Sequence, residues 1–195
     1  MATVCFNVAS DFLPFFSAAG LSDMSSTETG DFAGVIADSV KTSVGVTFES
    51  IFGQPPAIVE SEPSTEPCAR VASVISFFGT QPWSLTLIVP EQTAVAMALK
   101  FTGFEVPFDS SDMGDVVGEL TNVLAGQVVA DLLRRSIQAQ MSLPTVARGN
   151  DVEMLRGKGA ATRHLGYTSP QGHFWFEVCT ASNVQRLCRT PGTAA

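Results

Sequence analysis

The stretch SDMGDVVGELTNVLAGQVVADLLRR, residues 111–135, decides how the rest of the chain is read. At roughly 100° per residue it is an amphipathic helix. Asp112, Asp115, Glu119, Asn122 and Gly126 fall within an arc of roughly 80° on that wheel, while Met113, Val116, Val117, Leu120, Leu124 and Val128 take the neighbouring face. Aliphatic residues flank the polar stripe on nearly all other sides, so the spacing predicts a helix mostly buried in a core, with one narrow strip left to solvent. A Ser110-Ser111-Asp112 cluster able to cap free amides precedes it, and Arg134 and Arg135 close it where cations suit the helix dipole.

The chain has 195 residues, a length that suits one compact domain with little left over for a second. Hydrophobic residues make up 45% and charged ones 15%, which excludes a disordered chain and implies a large core. A net charge of −8 disfavours nucleic acid and anionic membrane surfaces, so a protein partner or small ligand is expected. No apolar run approaches the roughly 20 residues needed to cross a bilayer. Residues 9–20 include an apolar patch, but Pro14 interrupts it and no Lys or Arg precedes it, which argues against a signal peptide. Cys5, Cys68, Cys179 and Cys188 form no CxxC pair and lie at no zinc-finger spacing from His164 or His173, so reduced thiols in a cytoplasm are expected, with no metal site.

Residues 1–30 read as an N-terminal extension or linker, containing Phe6, Phe12, Phe15 and Phe16 and ending in a small, polar stretch. The domain is expected over 31–189, followed by a tail at 190–195. A first long helix is expected over 31–52, where apolar residues recur with helical period until Gly53 and the Pro55-Pro56 pair. Strands are expected over 68–78 and 83–89, joined by Gly79-Thr80-Gln81-Pro82. Pro90-Glu91 is expected to open a shorter helix ending near Gly103, with Pro90 in its first turn. Beyond the 111–135 helix, 139–146, 160–167 and 172–181 read as strands, the last alternating Phe174, Phe176 and Val178 against Trp175, Glu177 and Cys179. The expected fold class is α+β: a mixed, largely antiparallel sheet with two long helices packed on it.

Glu119 and Asn122 stand one helical turn apart and project from one face. Neither is a nucleophile in the serine or cysteine sense. An amide can orient a water, and a carboxylate can pair with a cation or accept a proton. Together they suit hydrolysis by positioning, as in phosphoryl transfer, where alignment and electrostatics supply most of the catalysis. Gly126, one turn further on, would admit another backbone. In an arbitrary soluble helix the same residues form only a solvated face.

More than those residues carries a resemblance. The spacing Asp115-x3-Glu119-x2-Asn122, the run GELTNVLAG at 118–126, and Leu143-Pro144-Thr145-Val146 resemble the CheC/CheX/FliY family of chemotaxis phosphatases. So do the long opening helix ending in Phe52-Gly53 and the alanine-rich helix ending Phe101-Thr102-Gly103; together the resemblance covers about residues 31–181. It implies a phosphatase whose substrate is the aspartyl phosphate of a CheY-like response-regulator receiver that carries its own Mg²⁺. Asn122 would enter the receiver's acid pocket and align water, and Glu119 would pair with the receiver's lysine. Asp115, Asp112 and Gly126 would serve rim contacts with the partner. No cofactor is implied on this chain, and a homodimer through sheet edges is implied. Some members carry two motif helices; here Thr42 and Gly45 of the opening helix stand where a second Glu and Asn would be, which favours the CheX-like type with one motif.

Other constellations carry less. Arg156-Gly157-Lys158-Gly159 lacks the glycine of a phosphate loop, Val152 standing in its place. His164 and His173 read as structural or surface residues, and nothing suggests a serine-type triad. Two further readings stay open: a non-catalytic binding or adaptor domain of the same fold, since fold alone does not specify activity, and a small-ligand sensor, which would need an enclosed apolar pocket.

Overall fold

The computed structural model describes residues 4–5, 32–60, 68–79, 81–150, 152, 154–155 and 160–181. In chain order these form β1 (Val4–Cys5), α1 (Phe32–Phe52), β2 (Ala57–Val59), β3 (Arg70–Gly79), β4 (Trp83–Pro90), α2 (Glu91–Thr102), α3 (Ser111–Arg134), β5 (Ala139–Met141), β6 (Thr145–Gly149), β7 (Met154–Leu155), β8 (Ala160–Ser169) and β9 (Gly172–Ala181). Three helices accompany a seven-stranded sheet of order β2-β8-β9-β4-β3-β5, with β6 sharing the β3 edge with β5. Every pairing in that sheet is antiparallel. β1 and β7 form a separate two-residue parallel pairing. The remainder of the expected extension, the 190–195 tail and the Arg156–Gly159 turn lie outside the described residues.

Period-2 alternation places one side chain of each pair on the helical face. Val71, Ser73, Ile75 and Phe77 of β3 lie opposite Val89, Leu87, Leu85 and Trp83 of β4. These continue into Phe176 and Val178 of β9, and Phe176 and Phe174 into Leu165 and Tyr167 of β8. All these apolar side chains are buried. Against them pack Ile36, Val40, Val44 and Phe48 of α1, together with Met113, Val117, Leu120, Leu124, Val128 and Leu132 of α3. Each such side chain contributes about 1.5–3 kcal/mol of transfer free energy. Rings stack through the centre: Phe48 on Phe174 at 4.7 Å and Phe77 on Trp83 at 3.7 Å between centroids.

By length and composition α3 is apolar enough to cross a membrane. Most of its apolar side chains, Met113, Val117, Leu120, Leu124, Val128 and Leu132 among them, are instead part of the domain core, and four carboxylates, Asp112, Asp115, Glu119 and Asp131, are distributed along it.

Local chemistry accounts for the element ends, with three differences from expectation. Pro90 closes β4, paired with Arg70, and caps α2 from outside at φ −61°, ψ 152°; it is not in the first helical turn. Gly103 ends α2 in the left-handed region at φ 82°, where its N–H donates to the Leu99 carbonyl. β2, a three-residue edge strand on β8, was not legible in the sequence. The strand expected over 139–146 is two strands, because Pro144 has no N–H for the ladder. Phe77 pairs with Met141 and Val74 with Thr145, so three residues, 142–144, lie opposite two, 75–76. The extra residue makes a bulge.

Candidate functional site

α3 starts at the Ser110 N-cap, whose Oγ accepts from the Met113 N–H at 3.3 Å and donates to the Pro107 carbonyl at 2.8 Å. Arg148, on β6, holds this turn from outside. Its guanidinium donates to the carbonyls of Phe108, Asp109 and Ser110 at 2.5–2.7 Å and lies 5.8 Å from the Phe108 ring centroid. Nothing in the sequence marks Arg148 for this role, since the three acceptors are main-chain atoms about 40 residues away.

Further along, β6 lies directly on the helix. A Cβ added at Gly118 would meet Val146 Cγ2 at 3.4 Å and Pro144 Cγ at 3.6 Å, and one at Gly114 would meet Val146 Cγ1 at 4.0 Å. Gly118 is therefore the glycine of close approach. Gly126, expected to admit a neighbouring backbone, has nothing within 4 Å of an added Cβ among the described residues.

The C-terminal end is held by a charge cluster. Asp131 is buried on the core side of α3 and accepts from Arg134 and Arg135, both at 2.9 Å. The Arg134 guanidinium, then the nearby Ser39 hydroxyl and Arg135, hold its carboxyl below the ordinary carboxylate range, against the opposing effect of burial. Ser39 favours the carboxylate by proximity, although its Oγ makes no hydrogen bond of good geometry. On α1, Asp38 and Thr42 occupy an exposed face, Lys41 pairing with Asp38 at 3.3 Å and the Thr42 hydroxyl donating to the Asp38 carbonyl at 3.0 Å.

Held at both ends, α3 presents the expected stripe. Asp112, Asp115 and Glu119 are exposed, and Asn122 and Gly126 half-buried. Glu119, Asn122 and Asp115 make no side-chain hydrogen bond or ion pair among the described residues, so an amide and a carboxylate one turn apart are left with open valences toward solvent. In chemical terms the stripe can orient a water through the amide and meet a cation through the carboxylate. It holds no serine or cysteine. Among the described residues no three His, Cys, Asp or Glu side chains converge as metal ligands.

The two histidines lie away from this face. His164 pairs across β8 and β9 with Glu177, Nδ1 to Oε2 3.6 Å, and Glu177 is buried on the sheet face opposite the helices. His173 is exposed beside Thr168. The clefts beside α2 are open to solvent, lined in one case by Leu99, Lys100 and Pro170 and in the other by Glu91, His173 and Trp175. Neither is an enclosed apolar cavity of the kind a ligand sensor needs.

Residues 71–165 match the family described as chemotaxis phosphatase CheX. No curated protein sequence matches this chain. Among solved structures, a chemotaxis protein CheX from Desulfovibrio desulfuricans is 22% identical with a TM-score of 0.62, covering 75% of this chain and 99% of its own. CheX from Vibrio vulnificus is 18% identical with a TM-score of 0.65 and the same coverage. CheX in a Borrelia burgdorferi CheX–CheY–BeF3–Mg complex is 16% identical with a TM-score of 0.55, covering 75% of this chain and 96% of its own. Over residues 71–165 the chain is similar in sequence to the CheX family, and its fold is that of CheX and CheC-like chemotaxis proteins.

Proposed function

We propose that this CheX-like chain is a phosphatase that hydrolyses the aspartyl phosphate of a CheY-like receiver domain. The observation that carries the reading is the pair Glu119 and Asn122, unpartnered among the described residues on the one open strip of a helix otherwise built into the core. Asn122 enters the receiver's acid pocket and aligns a water in line with phosphorus. Glu119 pairs with the receiver's lysine and docks the two proteins, while direct general-base action by Glu119 is less favoured. Asp112, Asp115 and Gly126 form the rim of the contact.

The chemistry follows from what the stripe lacks. With no serine or cysteine in the stripe, and with Asn122 positioned to align water, the reading passes the phosphoryl group directly to water rather than through a covalent intermediate on this chain. Mg²⁺ belongs to the phosphorylated receiver, where it neutralises the developing charge; this chain supplies alignment. The proposal extends to a homodimeric, cytoplasmic protein with its catalytic domain over 31–189.

The test is the decay of receiver phosphate with and without the full chain. Faster decay that falls by about 100-fold or more in Asn122→Ala, as loss of a positioned catalytic group does, supports the phosphatase, with Glu119→Ala expected to weaken receiver binding as well. No acceleration across the receivers of the same cell would assign the stripe to a binding or adaptor module instead.

A further inference from the structure

The bulge between β5 and β6 places a feature beside the stripe that the catalytic pair does not explain. Leu143 is 84% exposed, the most exposed large apolar side chain among the described residues. It is also held rigidly. On one side the Ser142 N–H donates to the Ser76 carbonyl at 2.9 Å, and the Ser142 Oγ accepts from the Ser76 N–H at 3.1 Å. On the other, Pro144 rests against Gly118.

The strand's contacts show where Leu143 lies along α3. Arg148 is level with residues 108–110, Val146 with Gly114 and Gly118, and Pro144 with Gly118. β6 therefore runs antiparallel to α3. Two strand residues advance about 6.6 Å and four helix residues about 6 Å. Continued past Pro144 in the same direction, the chain at 142–143 lies on the side of Gly118 toward Asn122. On the opposite flank of the stripe Val123 is 42% exposed, one position from Asn122. Two aliphatic side chains thus bracket an unpartnered amide and carboxylate, with Asp112 and Asp115 further along the same strip.

We propose that Leu143 and Val123 form an apolar clamp that seats the phosphorylated receiver on Glu119 and Asn122, with Leu143 as its principal anchor. This rests on the function proposed above. Its occupant is chosen by complementarity. A partner that brings a cation to Glu119 and apolar surface to Leu143 and Val123 complements the strip, whereas an acidic rim would be repelled by Asp112, Asp115 and the chain's net charge of −8. Leu143 needs little ordering on binding because its backbone is already fixed, which is what makes an exposed aliphatic group an effective anchor.

The experiment titrates the full chain against a receiver held in its phosphorylated form by Mg²⁺ and beryllofluoride. Leu143→Ala is expected to raise Kd by about 10-fold and Leu143→Asp by about 100-fold, in the range of interface anchors. The chemical-denaturation midpoints should stay at the wild-type value, because the side chain supports nothing in the fold. Unchanged Kd in both variants, with decay still accelerated by the natural chain and lost in Asn122→Ala, overturns the clamp and leaves the phosphatase standing. No binding and no accelerated decay for any receiver overturns both. If Leu143→Asp leaves receiver Kd unchanged but alters the sedimentation of the chain, the patch is a self-interface and the proposal fails.

Discussion

Gly118 and Gly126 lie two turns apart on α3 and have the same intrinsic preference, yet their surroundings differ, which makes them a quantitative test of how the helix is seated. Replacing a helix-interior glycine by alanine contributes about 0.8–1 kcal/mol through propensity alone. At Gly126 nothing among the described residues stands within 4 Å of the new Cβ, so the whole gain should appear. For a domain of this size it raises Tm by about 2–4 °C. At Gly118 the new Cβ meets Val146 at 3.4 Å and Pro144 at 3.6 Å, the tight end of ordinary contact, so Gly118→Ala keeps only part of the gain. Gly118→Leu adds atoms where Pro144 and Val146 already lie. Overpacking costs about 1–3 kcal/mol, and with the propensity gain subtracted the variant should be net destabilised by about 0.5–2 kcal/mol. Urea denaturation and thermal melts of the three variants read these differences directly. Should Gly118→Leu prove as stable as Gly126→Ala, α3 does not rest on β6, and the placement of Leu143 on the Asn122 side of Gly118 falls with it.

Three further outcomes follow from polar groups. The Tyr167 hydroxyl is buried without a partner among the described residues and burial drives its phenol upward, so Tyr167→Phe should be neutral or stabilising by about 1 kcal/mol in urea melts; a loss of stability would refute this. Asp131 has its folded pKa lowered, so its contribution is present above the unfolded carboxylate pKa and is lost as pH falls through the folded value. Asp131→Asn should therefore lower stability near neutral pH by about 1 kcal/mol and flatten the acid limb of the stability profile, and an unaltered profile would refute the assignment. Arg148→Ala removes three bonds to carbonyls at the start of α3 and should cost about 1–3 kcal/mol, with faster amide exchange over the first turns of the helix and little change at its C-terminus.

Elements with a strong, continuous period were legible in sequence. α1, α2 and α3, together with β3, β4, β8 and β9, fall within a few residues of expectation because burial of one face imposes the period on the residues themselves. Hidden features depend on a neighbour distant in sequence. β2 is only three residues long and exists because β8 offers it an edge. The split of 139–146 follows from pairing with β3, where three residues must lie opposite two.

The same division runs through the site. Sequence by itself determined that Asp112, Asp115, Glu119, Asn122 and Gly126 share one strip of one helix, since 3.6 residues per turn settles that before any packing occurs. Tertiary structure decided what the strip meets: that Gly118, and not Gly126, is the point of close approach, that Arg148 grips the first turn, and that a bulge leaves Leu143 exposed next to the Pro144 that rests on Gly118. Helical periodicity is a local property of the backbone and is written in consecutive residues. Which strand lies across a helix depends on burying both apolar faces at once, and that condition couples residues tens of positions apart.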